Sequence, residues 1–183
     1  MESVLDRVIK QNTENVNLLK TKDYNIFSVL QIQSKEVLIC RMIADLLNPR
    51  GQHGAGAEYL KIFLRDCLGM EKMDTKLADQ AIVTAEYAID DERRIDIVIE
   101  MGSHFLPIEV KIYAADQKSQ CFDYYQYAKR RDAQAKVYYL TLDGHRPGKD
   151  STSSGSQSVP EEDIVCLSFR EHILNWLKAC KSC

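Results

Sequence analysis

The sequence predicts an α/β chain whose sheet is part antiparallel and part parallel. Three observations predict it. Apolar residues recur at helical spacing between 34 and 68. They switch to strict alternation between 94 and 113. A strand, a helix and a strand then follow one another from 105 to 142, an order that sets the last strand parallel to its partner.

Each element follows from its own pattern. Val4, Leu5, Val8, Ile9, Val16 and Leu19 recur among polar residues, which suits a surface helix over the first ~20 residues. A second helix starts after Ser34, with Ile39, Cys40, Ile43 and Leu47 as its stripe, and Asn48-Pro49 stops it. Gly51 to Gly56 is a glycine-rich connection. A third helix carries Tyr59, Leu60, Phe63, Leu64 and Leu68 and ends at Gly69. Ala81 to Tyr87 reads as a strand. Ile95, Ile97 and Ile99 alternate with polar Arg94 and Asp96, and Leu106, Ile108, Val110 and Ile112 alternate again after Gly102-Ser103, so the two strands form a hairpin. A helix from about Asp116, as its N-cap, to Arg131 leads to a strand at Val137–Leu142. From 143 to 163 the chain is polar and rich in Gly, Ser and Pro, which predicts a mobile loop. A short strand at Ile164–Leu167 and a helix from about 169 to 180, carrying Trp176, close the chain. The 183 residues suffice for one domain, and a single domain over 1–183 is expected.

Composition excludes several classes. Charged residues at 28% and hydrophobic ones at 45% sit near the globular average, so disorder, collagen and coiled coil describe the whole poorly. No apolar run approaches the ~20 residues of a membrane span. The start of the chain lacks the features of a signal peptide, so a cytoplasmic location is expected. The net charge of −3 shows no strongly basic surface. Cys40, Cys67 and Cys121 fall in apolar segments and read as core. Cys180 and Cys183 form half a zinc motif without a second pair, so neither a structural metal nor a disulfide framework is expected.

The chemistry lies in what sits wrongly in the hairpin. Glu109 and Lys111 share the face opposite Leu106, Ile108 and Val110. Asp96, opposite Ile95, Ile97 and Ile99, stands beside them once the hairpin closes. Two carboxylates at close range raise each other's pKa, and a divalent cation relieves the repulsion. Oxygen ligands of this kind suit magnesium. With Lys111 beside them, the set fits metal-assisted phosphodiester hydrolysis. The bland reading is a cross-strand ion pair on a solvated strand face.

Asp96 followed by Glu109-Val110-Lys111 resembles the PD-(D/E)XK nuclease superfamily signature, with Ile95 in place of the usual proline. Arg94 to Ile97, Ile108 to Ala114, Asp116-Gln117 and Gln120…Tyr124 resemble a bacterial subgroup of that superfamily. So do Leu46-Leu47-Asn48-Pro49, His53 to Gly56 and Tyr139 to Gly144, and the likeness spans about 34–145. The resemblance implies a restriction-endonuclease-like core, a mixed central sheet flanked by helices. It implies a nuclease that uses Mg²⁺, or Mn²⁺ as a substitute, on nucleic acid, DNA first, leaving a 5′-phosphate. Asp96, Glu109 and the Val110 carbonyl would bind the metal, and Lys111 would be the catalytic lysine. Gln120 would support the site, Glu36 would join the metal directly or through water, and Tyr124 and Arg94 would support it or touch substrate.

Bland readings stand beside these. Glu36 in the first turn of a helix favours its dipole anyway. Gln120 and Tyr124 can simply pack. His53 reads as a hydrogen-bonder within its turn. An inactive nucleic-acid-binding or scaffold module, or a defence or toxin component needing a partner protein, is the alternative to a working enzyme. A homodimer is a further expectation carried by the resemblance.

Overall fold

The computed structural model describes residues 35–71 and 74–181. The helix expected over the first ~20 residues, and Cys183 of the terminal cysteine pair, lie outside them.

Helix α1, Glu36–Leu47, buries Cys40, Ile43, Ala44 and Leu47 along one stripe. Asn48 takes an extended backbone ahead of Pro49 and ends it. In the turn that follows, His53 Nε2 lies 3.0 Å from the Asn48 carbonyl and Nδ1 accepts the Ala55 N–H at 3.1 Å. The ring also stacks on Tyr59 at 4.6 Å. His53 is therefore a brace of the turn, as its setting suggests. Helix α2, Glu58–Asp66, buries Leu60, Ile62, Phe63 and Leu64. Helix α3, Thr75–Asp79, is capped by the Asp74 side chain on the Lys76 N–H, a one-turn element too short for periodicity to reveal.

Strands β1 (Ile82–Ala88), β2 (Arg94–Met101) and β3 (His104–Lys111) pair antiparallel in sequence order. The Met101–His104 pair closes a two-residue turn in which Gly102 has φ 57°, a conformation glycine adopts without cost. Helix α4, Gln120–Arg131, crosses over to β4, Val137–Thr141, which pairs parallel with β3 as the strand–helix–strand order requires. Strand β7, Ile164–Ser168, adds a second parallel pair. The five-stranded sheet is thus mixed, in the order β1-β2-β3-β4-β7.

Helices cover both faces. On one, Ile97, Ile99, Leu106, Ile108, Val110 and Leu140 pack against α1, α2 and the last helix. That helix, α6 (Leu174–Cys180), continues a wide helical turn at Phe169–Ile173 and buries Trp176, whose Nε1–H donates to the Tyr59 carbonyl at 2.8 Å. On the other face, Val98, Phe105, Val137 and Tyr139 meet Cys121, Tyr124 and Ala128 of α4. Each fully buried large apolar side chain contributes about 1.5–3 kcal/mol.

Three expectations are corrected. Ile95 does not share a face with Ile97 and Ile99; it packs with Tyr124 and Cys121 on the α4 side. The change of face occurs at Asp96, beside Glu86, whose φ of 55° breaks the regular extension of β1. Asp116 does not cap α4. The helix starts four residues later, after Ser119 in a left-handed conformation, and Asp116 instead accepts the Tyr139 hydroxyl and the Gly148 N–H, both at 2.7 Å. The polar stretch after β4 holds more structure than its composition suggests. It forms a short helix α5 (Lys149–Thr152), a ladder of β5 (Ser153–Ser154) with β6 (Gln157–Ser158), and a 3-10 turn at Glu161–Asp163. Its order comes from hydrogen bonds and one small apolar contact. Ser119 N–H donates to the Asp150 carbonyl at 2.7 Å, Ser119 Oγ–H to the Ser153 carbonyl at 2.8 Å, and Val159 packs on Phe122. Neither signal is periodic, so neither is visible in a hydropathy pattern.

Candidate active site

The site forms where the hairpin ladder opens. The paired register of β2 and β3 runs from Met101–His104 to Ile97–Ile108. One residue further, the Val110 N–H donates to Asp96 Oδ2 at 2.8 Å. The Asp96 side chain thus takes a backbone donor at the place where the strands part. Glu109 and Lys111 stand opposite Tyr139 and Thr141 across the parallel pairing, which sets them on the α4 face.

Both side chains are buried, Glu109 at 1% exposure and Lys111 at 8%. Lys111 Nζ lies 2.6 Å from Glu109 Oε1 as an ion pair. Both Glu109 oxygens are left without a hydrogen-bond partner among the described residues. Burial pushes the Glu109 carboxyl up to about 8, the Asp96 charge pushes the same way, and Lys111 opposes them. Burial also raises Asp96, against the Val110 N–H that lowers it. Burial works to lower Lys111, but Glu109 outweighs it and the ammonium is held more firmly than usual.

Gln120 opens α4 and is itself buried. Its Nε2 donates to the Tyr124 hydroxyl at 2.9 Å, one turn along, and that hydroxyl donates to the Arg94 carbonyl. This chain ties α4 to the start of β2 and fixes the Gln120 amide. Its Oε1 is a third buried acceptor without a partner. Arg94 contributes a carbonyl; its side chain is exposed.

Glu36 serves the site from another direction. Its Oε1 accepts the N–H groups of Ile112, Tyr113 and Ala114 at 2.7, 2.5 and 2.9 Å. Burial alone would raise this carboxyl, but the three donors and the Lys111 charge hold it below its usual range. The residue clasps the chain immediately after Lys111. Cys40, one turn further along α1, is buried, and its thiol is pushed up first by burial and then by the Asp96, Glu109 and Glu36 charges.

The structure therefore brings Asp96, Glu109 and Lys111 together, sets Gln120 and Tyr124 in one hydrogen-bonded chain, and uses Glu36 as a clasp. Sequence reasoning missed two supports. Ser151 is fully buried and its Oγ accepts the Cys121 N–H at 3.3 Å, capping α4 from 30 residues away. Arg93 joins Asp123 at 3.0 Å, Gln117 Oε1 at 2.9 Å and the Lys118 carbonyl at 2.6 Å, pinning the approach to α4. No local signal marks Ser151. Ser119 stands at the N-cap by residue type, but its hydroxyl donates to the Ser153 carbonyl and leaves the Cys121 N–H to Ser151.

These residues fit a hard cation. Glu109 offers two buried carboxylate oxygens and Gln120 an amide oxygen, none of them hydrogen-bonded among the described residues, and Asp96 and Glu109 both resist ionisation. Among the described residues no three His, Cys, Asp or Glu side chains converge as a complete ligand set. Two carboxylates suffice for magnesium, which keeps several waters and takes substrate phosphate oxygens as further ligands. No helix among the described residues is long and apolar enough to cross a membrane.

No curated protein and no solved structure matched the chain. A family model of the PD-(D/E)XK nuclease superfamily matches residues 24–183. The mixed sheet with helices on both faces and the Asp96, Glu109-Val110-Lys111 hairpin at its centre agree with that match: the chain belongs to the PD-(D/E)XK nuclease superfamily.

Proposed function

We propose that this chain is a divalent-metal-dependent nuclease that hydrolyses phosphodiester bonds, with DNA as its substrate. One observation carries the reading. A buried carboxylate, neither oxygen of which accepts a hydrogen bond among the described residues, sits beside a second carboxylate and a buried lysine that pairs with it at 2.6 Å. A buried carboxyl short of hydrogen bonds costs free energy, which a bound cation offsets.

Asp96, Glu109 and the Val110 carbonyl would hold Mg²⁺, with Mn²⁺ as a substitute. When bound, the ion lowers the pKa of a water ligand and neutralises charge growing on the phosphate. Lys111 keeps its proton at Nζ and presents positive charge where the phosphate becomes more negative. Gln120, held by its bond to Tyr124, would support the site with its buried Oε1. Glu36 holds the backbone after Lys111 through Oε1 and would join the ion, directly or through water, by Oε2. Hydrolysis leaves a 5′-phosphate.

The test is cleavage of DNA and RNA, single- and double-stranded, with Mg²⁺ and then with a chelator. Asp96→Ala and Lys111→Ala serve as controls. Metal-dependent cleavage lost in both variants supports the reading. Cleavage that persists in both, or a pure wild-type protein inert on every substrate with both metals, overturns it.

A further inference from the structure

Beside the clasp lies an aromatic side chain that the fold does not use. Tyr113 is 64% exposed, and among the described residues its ring and hydroxyl join no hydrogen bond, ion pair or ring contact. Yet its backbone is held firmly, because its N–H is the middle of the three donors on Glu36 Oε1. The chain therefore fixes the root of a large ring and leaves the ring in water. Tyr113 lines an open cleft of about 660 Å³ with Lys35, Glu36, Val37, Leu38 and Ala114. Val37 and Leu38 are themselves exposed at 43% and 36%. Glu36 Oε1 is turned to the three N–H donors, and Lys35 adds an ammonium to the cleft's lining.

We propose that Tyr113 is a stacking platform for an unpaired nucleobase of the substrate strand, next to the bond being cut. This inference rests on the nuclease reading and adds a substrate class to it: strands with an unpaired base at the site. A flat aromatic face, an apolar floor from Val37 and Leu38, and a cation for the backbone phosphate are the parts such a subsite needs. The chain places it. Tyr113 follows Lys111 by two residues, in the bend whose Ile112, Tyr113 and Ala114 N–H groups Glu36 Oε1 gathers, so the ring is rooted within two residues of the lysine. A base inside a duplex keeps its faces stacked on its neighbours and has none to offer.

The experiment uses full-length protein with Mg²⁺ in a Lys111→Ala background, which holds substrate uncut. Dissociation constants are measured by anisotropy for a labelled single strand and for a blunt duplex. The further variants are Tyr113→Ala and Tyr113→Trp. Tyr113→Ala is expected to weaken the single strand by about 5- to 100-fold, the range of one lost base stack, and the duplex by less than about 2-fold. Tyr113→Trp is expected to keep single-strand binding. Unchanged single-strand affinity in Tyr113→Ala overturns the proposal. So does an equal loss on both substrates, or an equal loss in both variants. Wild-type cleavage in parallel separates the two failures. If wild type cleaves while Tyr113→Ala binds normally, only the stacking platform is wrong. If wild type neither binds nor cleaves any nucleic acid, the nuclease reading falls and the platform with it.

Discussion

The two ends of strand β3 handle charge in opposite ways. At its start, Arg131 lies over Phe105 at 5.3 Å, Tyr127 at 4.8 Å and Tyr87 at 5.8 Å. It also pairs with Glu100 at 3.2 Å and donates to the Tyr127 hydroxyl at 2.7 Å. Half in water, that cation is met on every side. At the far end, Glu109 is buried with neither oxygen hydrogen-bonded among the described residues, and one cation, Lys111, pairs with it at 2.6 Å between two carboxylates. A structural charge is satisfied by its own protein, as Arg131 is. Two buried carboxyl groups sharing one lysine, with hydrogen-bond capacity to spare, fit a ligand the chain does not itself contain.

The largest expected difference between the two ends is catalytic. Lys111→Ala should lower kcat by about 10²- to 10⁴-fold, the usual worth of a positioned proton-bearing or charge-stabilising group. Arg131→Ala should leave kcat within error of wild type. Initial-rate measurements on one DNA substrate check both. A Lys111 variant as active as wild type would erase the contrast.

The next effect is on stability, and its sign follows from Glu109. Its carboxyl titrates near 8 when folded, against an ordinary value of 4.5 when unfolded. Between those values the folded state binds more protons, so stability of the metal-free protein falls as pH rises from about 4.5 to about 8 and is level above. The slope is at most about 1.4 kcal/mol per pH unit for one such group. Asp96, raised in the same direction, adds to it. Chemical denaturation from pH 5 to 9 checks this, and Glu109→Gln should flatten the slope whatever it does to the absolute value. A wild-type curve that rises over this window would mean that Glu109 is ionised and well met.

Much of this was legible in the sequence. Alternation at 97–99 and 106–110 placed the hairpin, although Ile95 breaks the pattern, and charges on otherwise apolar strands pointed to Asp96, Glu109 and Lys111. The parallel crossover followed from element order. What was not legible depends on contacts between distant residues. Glu36 has the composition of a first-turn acid, and only the fold shows three backbone donors converging on it. Asp116 looks like a cap by residue type but is drawn away by Tyr139 and Gly148. Ser151 lies in a stretch whose composition suggests a loop, yet its hydroxyl caps α4. Single hydrogen bonds of this kind leave no period behind them.

Two smaller effects sharpen the comparison. Glu36→Ala leaves three N–H groups without their acceptor and should cost about 1–3 kcal/mol by denaturant titration. It should also lower kcat, because the backbone after Lys111 is released. Arg131→Ala should cost about 1 kcal/mol, the worth of a half-exposed cation–π contact with a surface ion pair, with activity intact. If Glu36→Ala behaves like Arg131→Ala, the clasp supports the fold alone.

The central claim is that Asp96 and Glu109 form a cation site. Calorimetric titration of Mg²⁺ and Mn²⁺ into the purified chain, alone and with an uncut DNA strand present, tests it most directly, with Asp96→Ala as the control. The account predicts binding by the wild type that the strand tightens and the variant abolishes. Binding that survives in Asp96→Ala, or a wild type that takes up neither ion under either condition, would contradict it.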